Sequence, residues 1–299
     1  MKSETTASNS RQTAILLMSC PDQKGIVAKV SEFLYRHNAN ILHADQHQDA
    51  ELKLFLMRVE WDLTQFSLDA RSFAENFKPL TDELQIQWKL EFSSTRPRVA
   101  ILASRHDHCL SDLLYRHRSG DLNCDIPLVI SNHPENRPLA DFHEIAYHEV
   151  QINLKAENPE TEKKAAEAKI LELLRSSQID LVILARYMQI LSPEFVKEYH
   201  HRIINIHHSF LPAFLGAKPY HRAYERGVKL IGATSHYVTE DLDDGPIIEQ
   251  DVIRISHRDS VPDLVKKGKD LERLVLSRAV QWHLEHRVLI YQNRTVVFN

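Results

Sequence analysis

Apolar positions in the first third of the chain follow two different periods. Between residues 55 and 61 every second residue is apolar, which is typical of a half-buried strand, whereas between residues 26 and 34 apolar residues recur every three or four positions, as on one face of a helix. Together with the turn residues between them, these patterns predict a βαββαβ unit with one small core. Its predicted segments are residues 14–19, 25–37, 41–48, 52–62, 68–84 and 86–92.

After residue 98 the pattern changes to short, continuously apolar strands separated by longer helical stretches. Strands of this kind are buried on both faces, as in a parallel sheet covered by helices. The predicted strands are residues 99–103, 126–131, 181–185, 203–206 and 233–238, the predicted helices are residues 110–117, 160–177 and 261–285, and a terminal hairpin is expected at residues 288–291 and 295–297. The second part of the chain is therefore predicted to be a mostly parallel, Rossmann-like α/β domain.

A short polar segment that contains a proline, Ser-Ser-Thr-Arg-Pro-Arg, separates the two patterns at residues 93–98. Segments of this composition make few contacts and commonly join domains. The chain also begins with a polar stretch rich in Ser and Thr, which carries no core pattern. We therefore expect a disordered lead-in at residues 1–12, a first domain at 13–92, a linker at 93–98 and a second domain at 99–299.

The composition of the chain argues against several classes of protein. The chain has 299 residues, 43% of them hydrophobic, and a formal net charge of -4, which argues against a nucleic-acid-binding surface because such domains carry a basic excess. Its three cysteines form no paired pattern and favour a reducing compartment without disulfides. Since no signal peptide and no run of about 20 apolar residues is present, we expect a cytoplasmic protein without a membrane span.

Polar side chains capable of catalysis follow two of the predicted strands. Asn205 and His207 lie at the carboxyl end of the strand at residues 203–206, which is where open α/β sheets bind ligands. Asp241, Asp243 and Asp244 follow the strand at residues 233–238, in a loop closed by Gly-Pro. We therefore expect an amide, an imidazole and a carboxylate to converge on one site.

The order and spacing of the motifs around these residues resemble the folate-dependent formyltransferase fold. The matching segments are Asn205-Ile-His207, Ser209-Phe-Leu-Pro212, His236-Tyr-Val238 and Leu242-Asp-Asp-Gly-Pro246. The resemblance implies that Asn205, His207 and Asp243 surround the formyl group of 10-formyltetrahydrofolate. Asp243 is preferred to Asp244 because the family's carboxylate follows the Leu of the loop. In the implied chemistry Asn205 and His207 stabilise an oxyanion, while Asp243 orients His207 and positions or deprotonates water.

Two further segments are assigned by resemblance. Residues 188–191 match a family segment that lines the pterin pocket, which makes Met188, Gln189, Ile190 and Leu191 substrate-binding candidates. From the hydrophobic pattern alone, Met188 and Leu191 would instead be ordinary core residues. Residues 20–27 resemble the ACT domain, so the first domain is expected to be a ferredoxin-like module that binds an amino-acid effector, assembles the chain into a homo-oligomer, or does only the latter.

Within the ACT-like segment, Asp22 and Gly25 are the effector-binding candidates that the resemblance implies. The residues alone also allow a simpler interpretation. In that interpretation Asp22 caps the following helix and Gly25 permits a tight turn.

The segment at residues 103–110 separates two members of the formyltransferase fold. Glycinamide ribonucleotide transformylase has a glycine-rich phosphate loop here, whereas this chain has no glycine and resembles the formyltetrahydrofolate deformylase family in its Ser-Arg-x-x-His-Cys-Leu motif. The resemblance implies that water replaces the amine acceptor, so that 10-formyltetrahydrofolate is hydrolysed to formate and tetrahydrofolate. The formate would supply purine biosynthesis and the reaction would balance the folate pool. Arg105, His106 and His108 could contact the folate, close the acceptor space or cap the next helix.

Several alternatives remain at this stage. The second domain could be a glycinamide-ribonucleotide-type formyltransferase, and the whole chain could be a non-catalytic sensor of folate or amino acids. A methionyl-tRNA formyltransferase is disfavoured because no basic C-terminal domain follows the catalytic unit. We expect no cofactor, since the folate is the substrate. We also expect no metal, because His207 and His208 are adjacent and no His-Glu-x-x-His or cysteine quartet accompanies the eighteen histidines.

Overall fold

A computed structural model describes residues 12–153, 155–212 and 219–299. Most of the predicted lead-in, residues 1–11, lies outside the described residues. The chain folds into two compact units. The first ends at Thr95 and takes in His286–Leu289 and Val296–Asn299, and the second comprises Arg96–Glu285 and Ile290–Thr295. The domain boundaries that were predicted from the sequence remain predictions.

The first unit has the predicted βαββαβ order. Its elements are β1 (Thr13–Pro21), α1 (Ile26–Arg36), β2 (Asn40–Asp49), β3 (Leu54–Asp62), α2 (Ala70–Leu84) and β4 (Gln87–Phe92). The four strands form an antiparallel sheet in the order β2-β3-β1-β4. The alternating apolar residues of β3 and one face of each helix meet in a single core, in which Trp61, Phe73 and Phe77 are fully buried. The predicted ferredoxin-like fold of this unit is confirmed.

Local sequence explains where the two helices of this unit begin. Gly25 precedes α1 with a φ of 90°, a left-handed conformation that glycine adopts without strain. Asp69 precedes α2 and its carboxylate accepts a hydrogen bond from the backbone N–H of Ser72 at 2.7 Å. At the chain's end, Phe298 is buried within the unit and its carbonyl accepts a hydrogen bond from Arg287 Nε at 2.6 Å.

The second unit is built on a seven-stranded sheet. Its elements, ending with a hairpin shared between the two units, are β5 (Arg98–Ala103), α3 (His108–Ser119), β6 (Asp125–Ser131), α4 (Arg137–Phe142), β7 (Ala146–Glu149), α5 (Pro159–Ser176), β8 (Leu181–Ala185), α6 (Pro193–Glu198), β9 (Ile203–His207), α7 (Pro219–Arg226), β10 (Leu230–Tyr237), β11 (Ile247–Arg254), α8 (Val261–Leu284), β12 (Val288–Tyr291) and β13 (Arg294–Val297). The sheet order is β11-β10-β9-β8-β5-β6-β7.

The pairing of these strands confirms a mostly parallel sheet. Strands β9, β8, β5, β6 and β7 run parallel, and β10 is antiparallel to both β9 and β11. The central strands β5 and β8 are buried along almost their whole length, as their continuous apolar sequences predict. Among the described residues, no helix is both long enough and apolar enough to cross a membrane.

Five short elements were not predicted from the sequence. Helices α4 and α6 have only six residues each, and α7 is a mainly polar helix of eight residues, so none has a sustained apolar period. Strand β7 has four residues, and β11 is an edge strand whose sequence Ile-Ile-Glu-Gln-Asp-Val-Ile-Arg alternates only weakly. Their positions depend on contacts with other elements rather than on a local pattern.

Candidate functional site

A cavity of about 560 Å³ opens in the second unit beside the carboxyl ends of β8 and β9. This is the edge at which open α/β sheets bind ligands. The cavity is lined by all three predicted catalytic residues and all four predicted substrate-binding residues. These are Asn205, His207, Asp243, Met188, Gln189, Ile190 and Leu191.

Asn205 is held by the neighbouring strand. His236 of β10 lies opposite Asn205 in the register, and its Nε2 is 3.2 Å from Asn205 Nδ2. The other ring nitrogen of His236, Nδ1, is 2.9 Å from the carbonyl oxygen of Tyr237, so it carries the proton and Nε2 accepts. Burial lowers the pKa of His236 and keeps the ring neutral. One N–H of the Asn205 amide is thus used by His236, and the second is available to a ligand oxygen.

His207 and Asp243 form a carboxylate–imidazole pair. His207 Nδ1 lies 3.2 Å from Asp243 Oδ1, and both side chains are largely buried. His207 Nε2 is buried and has no hydrogen-bond partner among the described residues. Burial acts to raise the pKa of Asp243, but the hydrogen bond and charge of His207 outweigh this and hold the pKa below its ordinary value. Asp243 is therefore ionised and orients His207.

The loop that carries Asp243 is fixed by close backbone contacts. Because β10 runs antiparallel to β9, it ends beside the start of β9, and the loop must turn back to bring Asp243 to His207. A Cβ atom on Gly245 would lie 1.7 Å from the carbonyl oxygen of Tyr237, so only glycine permits this approach. Asp243 has a φ of 56°, a left-handed conformation that Asp tolerates better than most residues. Asp244 is exposed and does not line the cavity.

The segment after β8 forms an apolar edge of the cavity. Met188 and Ile190 are 54% and 59% exposed, although both are large and apolar. Leu191 is buried, belongs to the hydrophobic core and also lines the cavity, so both interpretations of this residue apply. Met188 lines the cavity but is not a core residue. Ser104 Oγ accepts a hydrogen bond from the backbone N–H of Met188 at 3.1 Å and holds the segment in place. Met188 and Ile190 thus leave apolar surface exposed at the cavity.

Four residues form a buried polar cluster in the cavity wall, which we call the Glu272 cluster: Glu272, His108, Tyr220 and Arg186. Glu272 is 1% exposed, and its carboxylate lies 2.8 Å from His108 Nε2, 2.5 Å from Tyr220 Oη and 3.4 Å from Arg186 Nε. Burial opposes ionisation of Glu272, but the hydrogen bond from His108 and the charge of Arg186 lower its pKa to about 2. Glu272 is therefore a carboxylate at neutral pH.

Sequence reasoning missed most of this cluster. It left His108 without a role and did not select Glu272, Tyr220 or Arg186. The sequence offered one signal for Glu272. This Glu lies on the apolar face of α8, next to the buried Leu271. Of the neighbouring candidates, His106 lines the cavity, whereas Arg105 is largely exposed and pairs with Glu135 at 3.3 Å.

The same region contains the best candidate for a metal among the described residues. The possible ligand atoms of His108, Cys109 and Glu272 lie within 4.8 Å of one another. Three observations oppose a cation here: Glu272 already accepts hydrogen bonds from two donors, Arg186 supplies a positive charge, and burial raises the pKa of the Cys109 thiol well above its ordinary value. We assign these residues to a hydrogen-bond cluster rather than to a metal.

The two effector candidates lie in the first unit. Gly25 precedes α1 in the left-handed conformation, as a tight turn requires. The carboxylate of Asp22 accepts a hydrogen bond from Gln48 Nε2 of β2, so it is engaged by the sheet rather than by the first turn of the helix. The backbone N–H of Asp22 donates to the carbonyl of Lys53 at 2.8 Å.

Comparison with known proteins agrees with this architecture. The family model described as formyl transferase matches residues 97–280, and the ACT domain model matches residues 14–64. The formyltetrahydrofolate deformylase of Synechocystis sp. is 56% identical over 96% of this chain and 98% of its own length, and that of Bacillus subtilis is 50% identical over 95% and 93%.

A solved structure agrees as well. The crystal structure of a formyltetrahydrofolate deformylase from Pseudomonas syringae pv. tomato superposes with a TM-score of 0.92 at 49% identity, covering 98% of this chain and 96% of that one. The resemblance noted in the sequence is thereby confirmed. The chain belongs to the formyltetrahydrofolate deformylase family, with an ACT domain followed by a formyl transferase domain.

Proposed function

We propose that the chain is an enzyme that hydrolyses the N-formyl bond of 10-formyltetrahydrofolate, with water as the acceptor, to give formate and tetrahydrofolate. The observation that carries the proposal is the convergence of Asn205, His207 and Asp243 on one cavity, in a chain that belongs to the deformylase family. The folate is the substrate, and the proposal includes no further cofactor.

The roles of the three residues follow from their free atoms. Attack on the formyl carbon places negative charge on its oxygen, and that oxygen needs preorganised donors. The second N–H of Asn205 and a protonated His207 Nε2 are the two donors that the cavity offers. Asp243 orients His207 and stabilises its protonated form, because the two side chains are in contact. His207 then supplies the proton that the departing nitrogen requires.

The cavity edge at residues 188–191 is the proposed binding place of the pterin ring. Met188 and Ile190 expose apolar surface that a flat ring would cover, and Gln189 lies between them as a polar partner. The hydrophobic effect would then supply much of the affinity, at roughly 25 cal/mol for each Å² of apolar surface removed from water.

The cellular setting and regulation extend the proposal. The formate released would supply purine biosynthesis, and the reaction would balance the one-carbon folate pool. The three cysteines are free and buried, which fits a reducing, cytoplasmic setting.

The ACT domain supports an amino-acid effector that binds near Asp22 and Gly25, and assembly into a homo-oligomer. Titration of the protein with each common amino acid by calorimetry tests the effector.

The decisive experiment measures formate release from 10-formyltetrahydrofolate with no amine present, and compares wild type with Asp243→Asn. We expect release by wild type and a loss of at least about 100-fold in the variant, because an Asn cannot stabilise protonated His207. Asp244→Asn is the matched control, since Asp244 is exposed and outside the cavity. Circular dichroism checks the folding of all three proteins.

Two outcomes would contradict the proposal. Formyl transfer only after glycinamide ribonucleotide is added would make the chain a formyltransferase. Binding of folate, seen by calorimetry, with no formate under any condition would make it a sensor.

A further inference from the structure

Residues 186–192, which we call the cavity-edge segment, keep two large apolar side chains exposed. Met188 and Ile190 are 54% and 59% exposed and line the cavity, whereas Tyr187 and Leu191, which flank them, are buried. Apolar side chains are unfavourable in water, so a loop that is free to rearrange tends to cover them. That these two stay exposed side by side indicates that other contacts hold the backbone of the segment.

The middle of the segment is held by the residue after β5. Ser104 is 3% exposed, and its Oγ accepts a hydrogen bond from the backbone N–H of Met188 at 3.1 Å. The same Oγ donates to Asn132 Oδ1 at 2.7 Å, and the Ser104 carbonyl accepts a hydrogen bond from Asn136 Nδ2 at 2.6 Å. Because the hydroxyl both donates and accepts, its orientation is fixed, and it fixes the position of the Met188 amide in turn.

The end of the segment is held by α5. Glu167 is 6% exposed, and its Oε1 accepts a hydrogen bond from the backbone N–H of Ser192 at 3.0 Å. Ser192 precedes α6, and its Oγ accepts a hydrogen bond from the backbone N–H of Phe195 at 3.3 Å. Glutamate side chains are seldom buried to this extent unless a partner uses them. Glu167 thus fixes the point at which the segment passes into a helix.

The start of the segment is held by α8. Arg186 follows β8 directly, and its Nε lies 3.4 Å from Glu272 Oε2 in a buried ion pair. Its φ of 61° is uncommon outside glycine and persists where the surrounding structure maintains it. The residue after β5 and the helices α5 and α8, which are far apart in the chain, therefore each fix one point of the segment.

We infer that Ser104 and Glu167 are positioning residues that set the affinity for the folate, although neither lines the cavity. The inference rests on the proposed function, in which residues 188–191 bind the pterin ring, and deepens it. A ligand that meets an ordered segment does not have to order it, so less conformational entropy is lost on binding. The proposed catalytic residues lie on other elements. Loosening the segment should therefore weaken binding without altering the reacting groups.

The first test compares two substitutions of Glu167. Glu167→Met keeps the length of the side chain but removes the oxygen that accepts from Ser192, whereas Glu167→Gln keeps that oxygen. We expect Glu167→Met to raise both KM for 10-formyltetrahydrofolate and the calorimetric Kd of tetrahydrofolate about tenfold, with kcat within about twofold. Glu167→Gln should restore KM and Kd to within about twofold of wild type. Glu172→Met, at an exposed position of the same helix, is the matched control and should match wild type.

A double variant shows whether Glu167 acts through the segment. Ile190→Ala should raise KM about tenfold in wild type, through lost apolar contact. In the Glu167→Met background it should raise KM less than about threefold, because a loosened segment has already lost part of that contact. The full tenfold effect of Ile190→Ala in both backgrounds would overturn the inference, and so would a lower kcat at unchanged KM in Glu167→Met.

Ser104→Ala keeps the test valid if Glu167→Met fails to fold. It removes the oxygen that accepts from Met188 but leaves the carbonyl that Asn136 contacts, and it should raise KM and Kd about fivefold with kcat within about twofold. Unchanged KM and Kd in Ser104→Ala would overturn the inference. If wild type binds tetrahydrofolate but releases no formate, the proposed hydrolase function fails instead. The Kd values then still test the positioning role, so the two failures are distinguishable.

Discussion

At the scale of single residues, the site is defined by which ring nitrogens carry protons. His236 donates from Nδ1 to a backbone carbonyl and can therefore accept from Asn205, which fixes the direction of the amide. His207 is turned so that its Nδ1 lies beside Asp243, while Nε2 has no hydrogen-bond partner among the described residues. None of these orientations can be seen in the residue types alone, although the types themselves limit the chemistry to amide, imidazole and carboxylate.

Asn205→Ala and Ile190→Ala should affect different kinetic constants. Loss of an oxyanion donor lowers kcat by about 100- to 1000-fold, so Asn205→Ala should be nearly inactive while it still binds folate. Ile190 is 59% exposed and faces the cavity, so its truncation should raise KM about tenfold, through lost apolar contact, and leave kcat and stability nearly unchanged. Steady-state kinetics separates the two effects. A higher KM with normal kcat in Asn205→Ala would contradict its assigned role.

The buried carboxylate of Glu272 should make stability depend on acid. Its pKa in the folded protein is about 2, against an ordinary value of 4.5, so its contribution is complete above pH 4.5 and is lost as the pH falls towards 2. At about 1.4 kcal/mol for each pH unit, wild type should lose about 2 kcal/mol more than Glu272→Gln between about pH 7 and about pH 3. Urea unfolding at about pH 7 and about pH 3 measures the difference. Parallel losses in both proteins would contradict it.

At the scale of elements, the loop after β10 determines whether the site is assembled. Residue order predicts that Asp243 follows a strand, but the distance between Asp243 and His207 depends on a turn that no apolar period describes. The turn is maintained by a hydrogen bond from Tyr237 N–H to Pro246 O at 2.9 Å and by one from Asn293 Nδ2 to Asp244 O at 2.7 Å. The terminal hairpin thus helps to hold the loop that carries Asp243, about 50 residues before it.

Gly245→Ala tests the importance of this loop. The added Cβ would lie 1.7 Å from a backbone oxygen that belongs to β10, so the loop must shift and Asp243 must move away from His207. A displacement of about 1 Å can lower kcat about 100-fold. Gly120→Ala is the control: its φ is 87° but no described atom lies within 4 Å, so it should lose about 1 kcal/mol of stability and no activity. Normal activity in Gly245→Ala would show that the loop tolerates the shift.

At the scale of the whole molecule, the first unit leaves two strands at the edges of its sheet. In the order β2-β3-β1-β4, both β2 and β4 have one side without a hydrogen-bonded strand among the described residues. Most side chains of β2 are exposed, and Ile41 is an apolar residue among them. Such an edge is a ready template for pairing with another chain.

We therefore expect a dimer or tetramer of cyclic or dihedral symmetry, because identical edges pair most simply about a twofold axis. Sedimentation velocity at micromolar concentration measures the assembly. Ile41→Lys places a charge on the edge strand and should shift the distribution towards monomer. A wild-type protein that sediments as a stable monomer would contradict the prediction.

The sequence by itself determined the fold class, the order of the main elements and the identity of the central motif. These are local properties: apolar period distinguishes strand from helix, and the residues that end a parallel strand, such as Asn205 and His207, lie at the ligand-binding edge by construction. The family resemblance then selected Asp243 and residues 188–191, all of which the structure brings to one cavity.

Only the tertiary structure decided what depends on residues far apart in the chain. Glu272 lies on a helix otherwise recognised by its apolar residues, and its meeting with His108 across 164 positions leaves no trace in either local pattern. The local pattern also gives no sign that the terminal segments belong to the first unit, or that His207 pairs with Asp243. A periodic pattern records which face of an element is buried. It does not show which other element covers that face. The proposed chemistry depends on that packing, because the packing determines which side chains exchange hydrogen bonds.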